Sequence, residues 1–139
     1  MSHKTYISII IILSVLILIG IMYLIFRLKI KRNRLIKRWN SLVKLVSKKN
    51  KWSEFAVEAD RLIIDTLKFK HIKGHSAGEK IVAAQHIFTN NDDVWFCHKL
   101  AAQITNDKIQ IDDKDVILRL IHSCKQTLKD LDLLKDESK

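Results

Sequence analysis

The longest apolar run in the chain lies near its N-terminus, from Tyr6 to Phe26, and contains no charged residue. Fifteen of its 21 residues are Ile, Leu, Val or Phe, and only Ser8, Ser14 and Gly20 interrupt it. As an α-helix the run would be about 32 Å long, which is enough to cross the hydrocarbon core of a bilayer. A cleaved secretory signal would have a shorter apolar region and a small-residue cleavage site, and the run shows neither. The pattern therefore predicts an uncleaved transmembrane helix over residues 6–26.

A second apolar pattern follows, in which apolar residues recur every three or four positions between basic ones. It predicts a basic amphipathic juxtamembrane helix over residues 27–51. The apolar stripe of this helix consists of Leu28, Leu35, Ile36, Trp39, Leu42, Val43 and Val46. A parallel coiled-coil dimer would bring uncompensated cations together along its seam, whereas the rest of the chain is slightly acidic. We therefore expect the C-terminal half of this helix to pack on the protein's own helical bundle.

Residues 52–134 contain no Pro and show four more helical patterns, which begin near Ser53, Ser76, Asn91 and Asp112. The first is expected to end with a left-handed cap at Gly74, and the second to begin with a capping box between Ser76 and Glu79. The predicted inward residues of these two helices are Trp52, Phe55, Ala59, Leu62, Ile63, Thr66 and Leu67, then Ile81, Ala84, Gln85 and Phe88. The class is all-α, a small four-helix bundle, and residues 135–139 are expected to form a disordered tail.

Basic residues are concentrated beside the apolar run. Residues 1–51 carry 12 of the 25 Lys and Arg residues and none of the 15 Asp and Glu residues. The cationic flank of a membrane helix normally stays in the cytoplasm. We therefore expect a single-pass protein of the inner membrane, with residues 1–5 outside the cell and the C-terminal domain in the cytoplasm. The residues assigned to topology, or alternatively to contact with anionic lipid headgroups, are Arg27, Lys29, Lys31, Arg32, Arg34, Lys37 and Arg38.

Few residues in the predicted bundle point to chemistry. Cys97 and Cys124 stand alone in sequence, and a reducing cytoplasm disfavours a disulfide, so each is predicted to be a small buried residue. His71 and His75 fall in a predicted loop, which loses the one-face geometry that helical metal ligands need. No motif for phosphate binding, nucleophilic catalysis or zinc occurs, and neither a cofactor nor a metal is predicted. The slightly acidic charge of this part also argues against nucleic acid as a partner, although a local basic patch stays open.

Three carboxylates share the first bundle helix, namely Glu58, Asp60 and Asp65. Paired carboxylates can perform acid–base chemistry when burial separates their pKa values. Solvated or ion-paired surface positions are the stronger expectation, for example a pair between Glu58 and Arg61.

Four stretches in order carry a resemblance to a known group of proteins. They are Glu58-Ala59-Asp60-Arg61-Leu62 with Asp65, Lys73-Gly74 with Ala77-Gly78-Glu79-Lys80, Asp92-Asp93-Val94-Trp95-Phe96-Cys97-His98-Lys99-Leu100, and the amphipathic last helix. Together they resemble the cytosolic domain of uncharacterised bacterial single-pass membrane proteins whose helical bundle is similar to HEPN domains. The resemblance covers about Trp39 to Leu131 and implies a HEPN-like fold.

The resemblance also implies where an active site would be. In such relatives the Trp-Phe-x-His-Lys-Leu stretch is followed by an Arg-Asn pair and, after three intervening residues, by a His. This arrangement is associated in HEPN ribonucleases with binding and cleaving RNA. The corresponding residues here are Ala101, Ala102 and Asn106. Two alanines and an amide cannot hold phosphate or transfer a proton as a guanidinium and an imidazole do. The motif is therefore degenerate, and the chain is not expected to be an enzyme.

Three functions are compatible with these observations. The leading expectation is a membrane-anchored, non-enzymatic module that binds another protein, with His98, Lys99 and Asp107 as a possible interaction surface. The second is a membrane-tethered HEPN-type protein that binds or cleaves RNA, or binds a nucleotide. The third is an assembly platform that binds anionic lipid through the basic helix.

Overall fold

The computed structural model describes residues 3–135, and every regular element among them is helical. The five α-helices in this range are α1 (His3–Leu45), α2 (Trp52–Phe69), α3 (Ala77–Ala83), α4 (Asn91–Asp107) and α5 (Lys114–Asp130), and a short 3-10 helix, Lys49–Lys51, precedes α2. The all-α class is thus confirmed for the described part of the chain. Residues 1 and 2 of the expected N-terminal segment, and residues 136–139 of the expected tail, lie outside that part.

The chain divides into two compact units, and the first, Met1–Arg34, contains the apolar part of α1. The side chains of this apolar part are exposed throughout. Its two hydroxyl groups are satisfied within the helix, since Ser8 Oγ donates to the Lys4 carbonyl over 3.1 Å and Ser14 Oγ to the Ile11 carbonyl over 2.8 Å. Unpaired donors are costly in hydrocarbon, so this pairing suits a lipid environment. By length and composition, this part of α1 is a candidate membrane span.

The second compact unit, Leu35–Lys139, is a helical bundle in which α2 packs against α3, α4 and α5. The buried residues of α2 are Phe55, Ala56, Ala59, Leu62, Ile63, Thr66 and Leu67. Those of α4 and α5 are Val94, Cys97, Ala101, Ile117, Leu120, Ser123, Cys124, Thr127 and Leu128. The predicted inward stripe of α2 is confirmed except at Trp52, which is only half-buried. The prediction for Gln85 was wrong: α3 ends at Ala83, so helical spacing no longer applies and Gln85 is exposed.

The last turns of α1 belong to this bundle. Trp39 and Leu42 are 5% and 6% exposed, and the rings of Trp39 and Phe55 have centroids 6.1 Å apart. Nε1 of Trp52 donates to the Val46 carbonyl over 2.8 Å and so ties the start of α2 to the turn after α1. The expected packing of the basic helix on the bundle is therefore confirmed for its C-terminal half. The helix itself ends earlier than predicted, because residues 46–48 form a turn.

Arg38 fastens the same part of α1 to α2. Its guanidinium donates to Asp65 over 2.6 Å and to Glu58 over 3.3 Å. Glu58 also accepts from Arg61 over 2.5 Å, which confirms the pair expected from the sequence. Lys68 lies 3.5 Å from the other carboxylate oxygen of Asp65. Arg38 was assigned to topology or lipid contact, but its charge is directed at these two carboxylates of the bundle.

The loop after α2 differs from its prediction. His71, and not Gly74, takes the left-handed conformation at the helix end, with φ of 56°. The His71 amide donates to the Lys68 carbonyl over 3.0 Å, as in a Schellman cap. Gly74 is required further along the loop, where its φ is 137° and an added Cβ would lie 2.8 Å from the Lys80 amide nitrogen.

The start of α3 follows the predicted capping chemistry, and side chains also cap the starts of α4 and α5. Ser76 Oγ accepts from the Glu79 amide over 3.1 Å, and the Glu79 carboxylate accepts from the His75 amide over 2.7 Å. The carboxylate thus reaches one residue further back than in the standard capping box. Asn90 and Asp113 cap α4 and α5 by accepting from amides two residues later, whereas Ser76 accepts from the amide three residues later.

Candidate functional site

A histidine–carboxylate pair joins α2 and α4 at the edge of the core. Nδ1 of His98 lies 3.1 Å from both carboxylate oxygens of Asp60, and the two side chains are 25% and 15% exposed. An ionised carboxylate only accepts hydrogen bonds, so Nδ1 carries the hydrogen and donates. In the neutral ring, Nε2 is then the acceptor. A carboxylate can orient a histidine in this way for ligand binding or proton transfer.

Burial makes the Asp60 carboxylate costly to ionise. Removal from water raises the pKa of Asp60 above its ordinary value of 3.8, and the charge and hydrogen bond of His98 offset this only in part. The folded chain therefore holds the Asp60 proton more tightly than the unfolded chain does. A charged group that lowers stability in this way is a candidate for a functional role.

Replacement of Asp60 by asparagine tests this cost. The pKa of Asp60 is raised in the folded state, so the folded chain binds more protons than the unfolded chain from about pH 3.8 up to the raised value. The free energy of unfolding of the wild-type chain should fall across that window as pH rises, and Asp60→Asn should remove this fall. Thermal unfolding followed by circular dichroism at several pH values measures the difference. Asp107→Asn, at an exposed position, should leave the fall unchanged; a less stable Asp60→Asn at neutral pH would contradict the argument.

The face of α4 that carries His98 also carries an aromatic residue, Trp95, and a basic residue, Lys99. The Trp95 ring lies 6.0 Å from the His98 ring, edge to face, and Lys99 Nζ lies 6.0 Å from the Trp95 ring centroid. Trp95 and His98 are half-buried and Lys99 is exposed. Asp107, which the sequence grouped with His98 and Lys99, is the exposed last residue of α4 and lies about 12 Å along the helix from Lys99. We refer to Trp95, His98 and Lys99 as the α4 face.

The three positions that the resemblance would assign to a degenerate motif do not share one environment. Ala101 is 3% exposed and belongs to the core, whereas Ala102 and Asn106 are exposed. Ala102 and Asn106 follow His98 at intervals of four residues and so lie on its side of α4. Two of the three positions therefore lie on the same side of α4 as His98, and the third, Ala101, lies in the core.

The two cysteines do not stand alone in the folded chain. Cys97 on α4 and Cys124 on α5 are both buried, as predicted, and their Sγ atoms lie 3.0 Å apart. The hydrogen bond with Cys97, together with burial, raises the pKa of Cys124 well above its ordinary value. A protonated thiol is a poor nucleophile, so this contact belongs to the core packing and not to a reactive site.

The basic residues assigned to topology or lipid contact are mostly accessible. Those that are exposed are Arg27, Lys29, Lys31, Arg34 and Lys37. Arg32 is half-buried, and Arg38 is held by the ion pairs described above. Apart from Lys37, these accessible cations precede Leu35, where the part of α1 that packs in the bundle begins.

A groove of about 520 Å³ opens on the bundle between the end of α1, α5 and the residues after α5. Its apolar lining residues are Trp39, Val43, Ile121 and Leu134, and its polar ones are Asn40, Lys44, Lys125 and Lys135. We call it the lysine groove. A second groove, of about 390 Å³, lies beside the 3-10 helix and has Lys49 and Asp112 among its lining residues, so it favours neither sign of charge.

The sequence did not predict the pairing of Asp60 with His98. Asp60 directly follows Ala59 and His98 directly follows Cys97, and both preceding residues are fully buried. Asp60 and His98 therefore lie at the edges of inward stripes, which is the sequence feature that could have indicated the pair. Among residues 3–135, no group of three or more His, Cys, Asp or Glu side chains is placed to hold a metal ion. No protein-family model, curated protein or solved structure matches the chain, and the HEPN-like resemblance stays a prediction.

Proposed function

We propose that the chain is a single-pass, membrane-anchored, non-enzymatic module whose helical bundle presents a protein-interaction surface at the cytoplasmic face of the inner membrane. The observation that carries this proposal is a fully exposed apolar helix of membrane-spanning length followed by a bundle with its own buried core. An exposed apolar surface of this size needs a cover, and lipid supplies it. The insertion gain is about 5–9 kcal/mol as an upper bound.

The proposed orientation rests on the charges that flank the span. Lys4 is the basic residue before it, whereas eleven Lys and Arg residues follow between Phe26 and Trp52. Cationic flanks are retained on the cytoplasmic side. The bundle is therefore the part of the protein that meets cytoplasmic partners.

The α4 face is the surface we propose for the partner. Aromatic residues with adjacent cations are common among the side chains that dominate protein interfaces. Trp95 keeps part of its ring accessible, and Asp60 fixes the orientation of His98 through both carboxylate oxygens. A fixed orientation lowers the entropic cost of binding.

Photo-crosslinking in living cells tests the proposal. A photoreactive residue in place of Lys99 is expected to form a covalent adduct with a specific protein, and His98→Ala in the same chain should lower its yield. The matched control is the same residue in place of Lys114, an exposed lysine at the start of α5. Equal yields from the two positions would contradict the α4 face. An inactive cytoplasmic reporter fused to the C-terminus would contradict the orientation.

The His98–Asp60 pair also favours a second candidate, a membrane-tethered HEPN-type ribonuclease. An imidazole whose Nδ1 is bound by a carboxylate has Nε2 free to accept a proton. Under the leading proposal, mixed RNA incubated with the purified chain should stay intact. Cleavage that His98→Ala abolishes and Lys99→Ala retains would replace the leading proposal with this one.

A further inference from the structure

We propose that the lysine groove binds the apolar face of an acidic amphipathic helix from a partner protein. The groove is separate from the α4 face, so this inference goes beyond the function proposed above. The lining of the groove combines aliphatic side chains with lysines and contains no carboxylate among the described residues.

The apolar part of the groove is accessible. Val43 is 41% exposed although it lies one residue after Leu42, which is in the core. Ile121 and Leu134 are partly buried and pack against the same core. Three separate segments contribute these side chains, so the apolar lining consists of several residues and not of a single exposed one. An apolar lining of this kind can pack against residues at helical spacing on a partner helix.

The charge of the groove selects the sign of the partner. Lys44 and Lys135 are exposed residues of its lining, and the lining also contains Lys125, which is half-buried. Cations held around an apolar surface are complemented by carboxylates that flank an apolar stripe. A partner helix with Glu or Asp beside its apolar face meets both requirements.

Other classes of ligand fit the groove less well. Trp39 is 5% exposed, so its ring offers no platform on which a nucleic-acid base could stack. The headgroup of an anionic lipid would match the lysines, but its acyl chain would lie in a groove that is open to solvent. Small-ligand sites usually bury about 70–90% of their ligand. A helix tolerates an open groove because its own polar face covers the outer side.

The test uses the full chain in nanodiscs of zwitterionic lipid and a fluorescent helical peptide with leucines at helical spacing and glutamates on both flanks of the stripe. The peptide should bind, whereas a scrambled peptide of the same composition should not. Lys44→Glu with Lys135→Glu should weaken binding by about tenfold or more. A peptide with lysines in place of the glutamates should bind that double variant better than the wild-type chain. Empty nanodiscs measure adsorption to lipid.

The control is Lys73→Glu with Lys114→Glu, two exposed lysines outside the groove lining, which should leave affinity unchanged. Equal affinity for both double variants, or no binding to the wild-type chain, would overturn the proposal. Binding of anionic lipid vesicles in place of the peptide would reassign the groove to lipid. Binding that needs removal of residues 136–139 would reassign it to the acidic end of the chain itself. None of these outcomes depends on crosslinking at Lys99, so this inference and the function proposed above can fail separately.

Discussion

A soluble fragment that begins at Leu35 is expected to unfold cooperatively, whereas one that begins at Trp52 is expected to lose its cooperative transition. The shorter fragment lacks Trp39 and Leu42, which are buried in the core. Truncation of buried Trp and Leu side chains costs about 3–5 and 2–5 kcal/mol. A small domain has only about 5–15 kcal/mol in total. Thermal unfolding followed by circular dichroism measures the difference.

Two variants of the longer fragment separate the loss of core packing from the loss of chain length. Leu42→Ala should lower the midpoint of unfolding substantially, whereas Val43→Ala, at the exposed neighbouring position, should lower it little. Equal midpoints for the fragments from Leu35 and Trp52 would show that the end of α1 is dispensable to the fold.

Two arginines at the centre of the apolar run are expected to release the chain from the membrane. Each Arg at a helix centre costs about 2.5–3.5 kcal/mol of insertion, and each Leu or Ile that it replaces contributes about 0.3–0.6 kcal/mol. Leu16→Arg with Ile17→Arg therefore removes about 6–8 kcal/mol, comparable to the whole expected gain. Fractionation into carbonate-washed membranes and soluble protein measures the outcome.

The matched control places the same two substitutions just beyond the run, as Leu28→Arg with Ile30→Arg. These positions are exposed and already lie among basic residues, so the chain should stay in the membrane fraction. If both double variants are recovered in the same fraction, residues 6–26 are not the anchor. A mature chain that begins after Phe26 would show that a protease removes the run.

Much of the fold could be predicted because helical stripes are local. The inward face of α2 follows from residue spacing alone, and the cap at Ser76 follows from short-range hydrogen bonding. The boundary of the bundle was harder to predict. The change in charge occurs near Lys51, but packing begins at Leu35, because the buried Trp39 and Leu42 lie among the basic residues at the end of α1.

The contacts of the candidate site could not be predicted in the same way. Asp60 and His98 are 38 residues apart, and the two cysteines are 27 apart, so their meeting depends on how α2, α4 and α5 pack. The left-handed residue after α2 is another such case. His71 adopts a conformation that glycine would adopt more easily, because the capping hydrogen bonds fix the backbone there. Gly74 is required at a different point of the loop, where an added Cβ would clash with the backbone.

The inward position of Ala101 constrains how a chain of this kind can change by mutation. Its methyl group fills a site in the core that is 3% exposed, so a longer side chain there would need neighbouring residues to move. A charged one would also be placed out of reach of water. Ala102 and Asn106 are exposed, so a longer side chain at either position needs no such movement. Any evolutionary route that places a long polar side chain at position 101 must therefore include substitutions that open space around that position.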